Sequence, residues 1–263
     1  RIGTAIHDAI ERAWISEALP QTRTNLGLAS KNVNRILVNP ETLPEGKPVI
    51  PVYLEKRSER TIMGFKVTGK FDFIADGRVH DFKTTSTFAY TSGNKDDDYI
   101  LQGSIYRWLN PDIITDDRMS IIFIFTDWNK NRYLSARDTY PPAQITTRDF
   151  DLLPEATVQK YVESKINELI ACENLPEPEL PLCTDKELWR KEDVYKYYKD
   201  PMKTGRSTRT VETMREAQEI FVADGSVGRV DTVKGQVQAC LYCSGFSLCS
   251  QKDALIEAGE LKI

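Results

Sequence analysis

GKFDFIADGRVHDFKTT, Gly69 to Thr85, decides how this chain is read. A short apolar run carries Asp72, Asp76-Gly77 makes a tight turn, and a second run carries Asp81-Phe82-Lys83. Two strands joined there would hold Asp72 and Asp81 side by side at one end. Strand alternation puts Lys83, two residues past Asp81, on the same face as Asp81. An Asp-x-Lys on a strand is often no more than a solvated face. Here, however, Phe71, Phe73 and Ile74 surround Asp72, and Val79 and Phe82 flank Asp81, so an unpaired carboxylate would be costly. Two carboxylates beside an ammonium make a site for a hard metal ion, the chemistry that hydrolyses a phosphodiester.

Outward from that stretch, DYILQGSIYRWL (Asp98 to Leu109) repeats Ile100, Leu101, Ile105, Trp108 and Leu109 at helical spacing. Gln102 and Tyr106, four apart, share a face from which an amide and a phenol can hydrogen-bond a nucleic-acid strand. Thr84, Thr85 and Ser86 offer hydroxyls to phosphate oxygens. Near the amino end, GTAIHDAIERAW (Gly3 to Trp14) sets Ala5, Ile6, Ala9, Ile10 and Ala13 on one helical stripe, with His7 and Glu11 four apart.

In this order, His7, Asp72 in GKFDFI, Asp81-Phe82-Lys83 in HDFKTTS, and Gln102 with Tyr106 in QGSIY resemble the motifs of the PD-(D/E)XK nuclease superfamily. Within it they resemble the RecB/Cas4-like exonuclease branch, and the phage-encoded members with a cysteine-bearing tail. The resemblance covers residues 1 to about 110. It implies a restriction-endonuclease-like α/β core with a central mixed sheet flanked by helices. It also implies Mg²⁺ or Mn²⁺ on Asp72, Asp81 and the Phe82 carbonyl, with His7 as a further ligand and Lys83 orienting or activating water.

The tail carries CLYCSGFSLC, in which Cys240, Cys243 and Cys249 stand in a C-x2-C-x5-C spacing. Five cysteines in 263 residues do not make a disulfide scaffold, and clustered thiols in a reducing compartment read as metal ligands. The spacing is similar to that of the three tail cysteines holding a [4Fe-4S] cluster in the iron–sulfur nucleases of this branch. Zn²⁺ is the rival occupant. Those relatives take a fourth ligand upstream of the nuclease motifs, where this chain has no cysteine. The fourth ligand is therefore Cys183, Cys172, a residue of an absent amino-terminal segment, or one from a second molecule. Cys183, where a Pro-rich linker ends, is favoured over Cys172, which reads as a small hydrophobe of a helix.

A net charge of −4 argues against a purely electrostatic DNA binder but not against a nuclease with a local basic groove. Lys66, Lys70 and Arg107 are candidates for that groove. Lys196, Lys199, Lys203, Arg206 and Arg209, interleaved with Tyr195, Tyr197 and Tyr198, form a second basic run. There is no signal peptide and no run long enough to span a membrane, so a cytoplasmic protein is expected, in the host cytoplasm if phage-encoded.

Two domains are expected: a nuclease core over residues 1–175 and a small α+β subdomain clamped by cysteines over 176–263. Helices are expected over about 2–17, 98–110, 154–173 and 213–223. Strands are expected near 49–56, 60–68, 69–76, 78–84, 118–127, 131–139 and 228–233, with two more short strands after the linker. Pro20 to Pro48 reads mostly as loop, with Lys31 to Val38 a possible helix, and Gly93 to Asp98 as a charged loop at the mouth of the site. The expected activity is a metal-dependent DNA exonuclease acting on single strands or free ends, alongside recombination or replication proteins. An endonuclease or junction resolvase of the same superfamily, and a non-catalytic nucleic-acid-binding module, stand as the alternatives.

Overall fold

A computed structural model describes residues 2–15, 17–27 and 30–263. The chain divides into two compact units, Arg1–Leu169 and Ile170–Ile263.

The first unit begins with helices α1 (Ile2–Ala13), α2 (Leu19–Asn25) and α3 (Ser30–Val33). Strands β1 (Ile36–Val38), β2 (Ile50–Leu54), β3 (Arg57–Ile62), β4 (Phe65–Lys70), β5 (Phe73–Ala75) and β6 (Arg78–Thr85) follow. Next come α4 (Thr87–Ser92), α5 (Asp96–Leu109), β7 (Arg118–Phe125), α6 (Lys130–Ser135), β8 (Ile145–Asp151) and α7 (Glu155–Cys172). Six strands form one mixed sheet in the order β1-β2-β5-β6-β7-β8, flanked by helices, and β3 and β4 form a separate hairpin. The β1–β2 and β6–β7 pairs are parallel and the other three antiparallel. A parallel β6–β7 pair needs a crossover, which α4 and α5 supply.

The β5–β6 turn is Asp76-Gly77 with φ of 49° and 82°, the two-residue hairpin turn with both central residues left-handed. Its register pairs Phe73 with His80, so the next step sets Asp72 against Asp81. The expected strand over 69–76 is broken: β4 ends at Lys70, and Asp72 lies in the bend before β5. On β6 the alternation sorts the side chains. Val79 lies in a buried core with Phe71, Ile74, Met119, Ile121 and Phe123, against which Tyr99 and Tyr106 of α5 pack. His80 and Phe82 point the other way, where Phe73 packs on both and on Trp14, just past α1. Gly103 lets α5 approach β7 closely, because a Cβ there would collide with the Met119 thioether.

Several expected elements differ. On α1, Ile6, His7, Ile10 and Ala13 are partly buried, whereas Ala5 and Ala9 face solvent. The stretch read as loop contains α2 and β1. Asp96–Asp98, expected in a loop, form the first turn of α5, where carboxylates favour the helix dipole. Residues 131–139 are not a strand: Asn129 Oδ1 accepts from the amides of Asn131 and Arg132 and starts α6.

In the second unit, β9 (Val194–Tyr198), β10 (Arg209–Val211) and β11 (Arg229–Val233) form an antiparallel sheet in the order β10-β9-β11. Helix α8 (Met214–Ala223) buries Ala217. Helix α9 (Ser250–Glu257) supplies Leu255 to a small core with Leu188, Val237, Cys240 and Leu261. Arg190 ties this unit together, pairing with Asp185 at 2.6 Å and Glu260 at 2.7 Å and donating to the Gly235 carbonyl. Among the described residues no helix is long and apolar enough to cross a membrane.

Candidate metal centre and thiol cluster

Asp81 is only 2% exposed, and its carboxylate meets Lys83 Nζ at 2.7 Å. Helix α5 closes over this ion pair. Gln102 Nε2 lies 3.4 Å from Asp81 Oδ1 and donates to the Tyr106 hydroxyl at 2.8 Å. Gln102 Oε1 accepts from Lys83 Nζ at 3.3 Å, and the ammonium lies 5.5 Å from the centre of the Tyr99 ring. Gln102 and Tyr106, read from sequence as strand-binding groups, here brace Asp81 and Lys83.

On the other face of β6, His7 reaches the same strand end. Its Nε2 is 3.1 Å from the Phe82 carbonyl oxygen, and its Nδ1 is 3.5 Å from Asp72 Oδ2. His7, Asp72 and Glu55 each turn a ligand atom to within 4.8 Å of the others. Glu55 was not singled out from sequence. It follows β2 in a charged Glu-Lys-Arg run that reads as a solvated turn, and only the fold brings its amide to the Asp72 carbonyl at 3.0 Å. Glu55 also pairs with Lys70.

Burial raises the Asp72 carboxyl above the usual carboxylate range, the charge of Asp81 raises it further, and His7 opposes both. Burial likewise raises the Tyr106 hydroxyl. Carboxylates crowded in this way beside an imidazole and a backbone carbonyl are a donor set suited to a small divalent cation such as Mg²⁺ or Mn²⁺. The fit is partial for Asp81, whose carboxylate is engaged by Lys83 and lies outside the His7–Glu55–Asp72 group.

The hydroxyls do not act as a set. Thr84 and Thr85 alternate across β6, and Thr84 Oγ1 is buried without a hydrogen-bond partner, so it is not open to a phosphate. The three expected groove cations are engaged: Lys66 with Glu59 at 3.0 Å, Lys70 with Glu55, and Arg107 with the Leu153 carbonyl at 2.7 Å.

In the second unit all five cysteines carry free thiols. Burial raises the Cys240 thiol, and the charges of Cys249, Cys183 and Cys243 act on it in that order. Burial also raises Cys183, followed by Glu187, Cys249 and Cys243. Cys240 and Cys183 each lie within electrostatic reach of Cys243 and Cys249. Cys249 Sγ caps α9 by accepting from Lys252 N at 3.4 Å, and Gln251 bonds both the amide and the carbonyl of Cys183.

No family model and no curated protein matches the chain. Among solved structures, one titled "Crystal structure of SSO0001" aligns at 17% identity with a TM-score of 0.35. The alignment covers 63% of this chain and 58% of that one.

Proposed function

We propose that the chain is a metal-dependent deoxyribonuclease of PD-(D/E)XK type that degrades DNA from free ends. The observation that carries this reading is the convergence, at one end of β6, of the Asp81–Lys83 ion pair with His7, Asp72 and the Phe82 carbonyl. Asp72, Asp81 and the Phe82 carbonyl would hold Mg²⁺ or Mn²⁺, with His7 and Glu55 beside them. The ion would supply a polarised phosphate and a water of lowered pKa. The chain's own groups do the rest. Lys83 presents an ammonium to the attacking oxygen and the developing phosphorane charge. Gln102 holds the Asp81 carboxylate and the Lys83 ammonium in fixed relation, and Tyr106 holds Gln102.

The four tail thiols are proposed to hold a structural [4Fe-4S] cluster that contributes folding free energy to the second unit. Zinc is the alternative. The x2 and x5 gaps of the tail cysteines resemble those of the iron–sulfur nucleases more than the paired C-x2-C knuckles of zinc sites, which supports the cluster reading.

Purified protein given Mg²⁺ or Mn²⁺ should shorten linear DNA from its ends, spare closed circles, and stop with EDTA. Efficient nicking of closed circular duplex would instead assign an endonuclease or resolvase. Tight binding without cleavage under any divalent ion would assign a non-catalytic module.

A further inference from the structure

The basic run read from the sequence resolves into two parts. Tyr197 and Tyr198 are buried at 1% and 7% exposure, and the Tyr197 hydroxyl donates to Asp224 at 2.8 Å. They are core, not a stacking platform. Lys196 lies within β9, and the other cations lie in the β9–β10 connection, Lys199 to Thr208, and at Arg209 just beyond it.

This connection is built rather than loose. Thr208 N donates to the Tyr197 carbonyl at 2.8 Å, and Lys199 N donates to Thr208 Oγ1 at 3.1 Å, closing its base. Arg229, stacked 4.6 Å over the Tyr198 ring and paired with Asp231, donates to the carbonyls of Pro201 and Lys203. The one acid of the stretch, Asp200, turns Oδ1 onto Met202 N at 2.9 Å. The arch so fixed is exposed from Lys199 to Arg206, and Met202 near its tip is 83% exposed.

Part of its charge is in no ion pair among the described residues, as it is at Lys191, Lys196 and Lys262 elsewhere in the unit. Arg190, Lys199, Arg215, Arg229, Lys234 and Lys252 each have a carboxylate partner. Among the described residues Lys203, Arg206 and Arg209 are in no ion pair, although the chain as a whole carries a net charge of −4. Of these three, Lys203 and Arg206 are exposed, and Arg209 acts on Asp224 without pairing with it, so this stretch offers its charge to an anionic partner.

We propose that the Lys199–Arg209 arch is a phosphate-gripping arm for a nucleic-acid strand, a second contact separate from the metal centre. It rests on the nucleic-acid reading above. With Tyr197 and Tyr198 buried and Tyr195 on β9 outside the arch, the grip is electrostatic, blind to sequence and strongly salt-dependent.

The test is binding of a short fluorescent single-stranded oligonucleotide to the full chain, in EDTA, across a salt series. K203E/R206E/R209E should weaken binding by at least about tenfold and reduce the log–log salt slope by about 2, as expected for three phosphates on a single strand. K203Q/R206Q/R209Q should lose less in the same direction, and it decides on the same readouts if the glutamate variant does not fold. A wild type that cleaves DNA, with a variant of unchanged affinity and slope, overturns the arm and leaves the function standing. A wild type that neither binds nor cuts overturns both.

Discussion

Asp72 holds its charge against its surroundings, since burial and Asp81 both favour the protonated carboxyl. The sign for stability follows. A carboxyl whose folded pKa is raised keeps its proton where the unfolded chain has lost it. Stability therefore falls as pH rises through the interval above the ordinary carboxylate value, and it is recovered below. Asp72→Asn should raise the melting temperature of the metal-free protein by a few degrees at neutral pH and flatten that part of its pH dependence. Thermal melts of both proteins from acid to neutral pH check this, and a less stable Asn variant at neutral pH contradicts it. The same carboxylate should be needed for Mn²⁺ to raise the melting temperature, because a cation relieves the repulsion. Asp72, Asp81 and Lys83 were legible in sequence because charged residues inside apolar runs are expensive. Glu55 was not, because it opens a charged Glu-Lys-Arg run and its approach to Asp72 is a tertiary fact. The buried Thr84 hydroxyl was misread for a related reason: three consecutive hydroxyls look alike until alternation sorts them.

At the scale of elements, α5 is the part that makes the site. Gly103 lies next to Gln102 and faces buried Met119 and Leu152, so any Cβ there overpacks. Gly103→Ala should cost about 1–3 kcal/mol of stability, read by chemical denaturation, and should also lower activity by shifting Gln102 away from Asp81. A neutral substitution would mean that α5 has room to move. The helices α5 and α7 and the hairpin β5–β6 were readable because period and turn chemistry agreed. Strand β8 was missed because its inward positions are Thr146, Arg148 and Phe150. Arg148 stacks 3.9 Å over Tyr90 and pairs with Asp96, so a polar side chain occupies a core-facing position and hides the period. Helix α6 was missed because a single side-chain cap, Asn129, starts a helix of only six residues, too short to show a period.

At the scale of the whole molecule, the first unit groups His7, Glu55 and Asp72, and the second holds the free thiols of Cys183, Cys240, Cys243 and Cys249. If the proposed cluster is held by Cys183 together with Cys240, Cys243 and Cys249, losing any one thiol opens the same site. Cys183→Ser and Cys243→Ser should destabilise the second unit to a similar extent, followed by limited proteolysis or near-ultraviolet circular dichroism. Anaerobically purified wild type should be brown with iron and sulfide, and Cys172→Ser should change neither property. Stoichiometric zinc in a colourless protein would replace the cluster and keep its structural role. The central claim belongs to β6, and the most direct measurement is the rate of Mg²⁺-dependent cleavage of end-labelled linear DNA by wild type and by Lys83→Ala. Wild type should cut, and Lys83→Ala should be slower by about three orders of magnitude while still folded at the assay temperature, with a lower melting temperature because buried Asp81 loses its partner. A Lys83→Ala protein that cuts at the wild-type rate, or a wild type that cuts equally well in EDTA, would contradict the account.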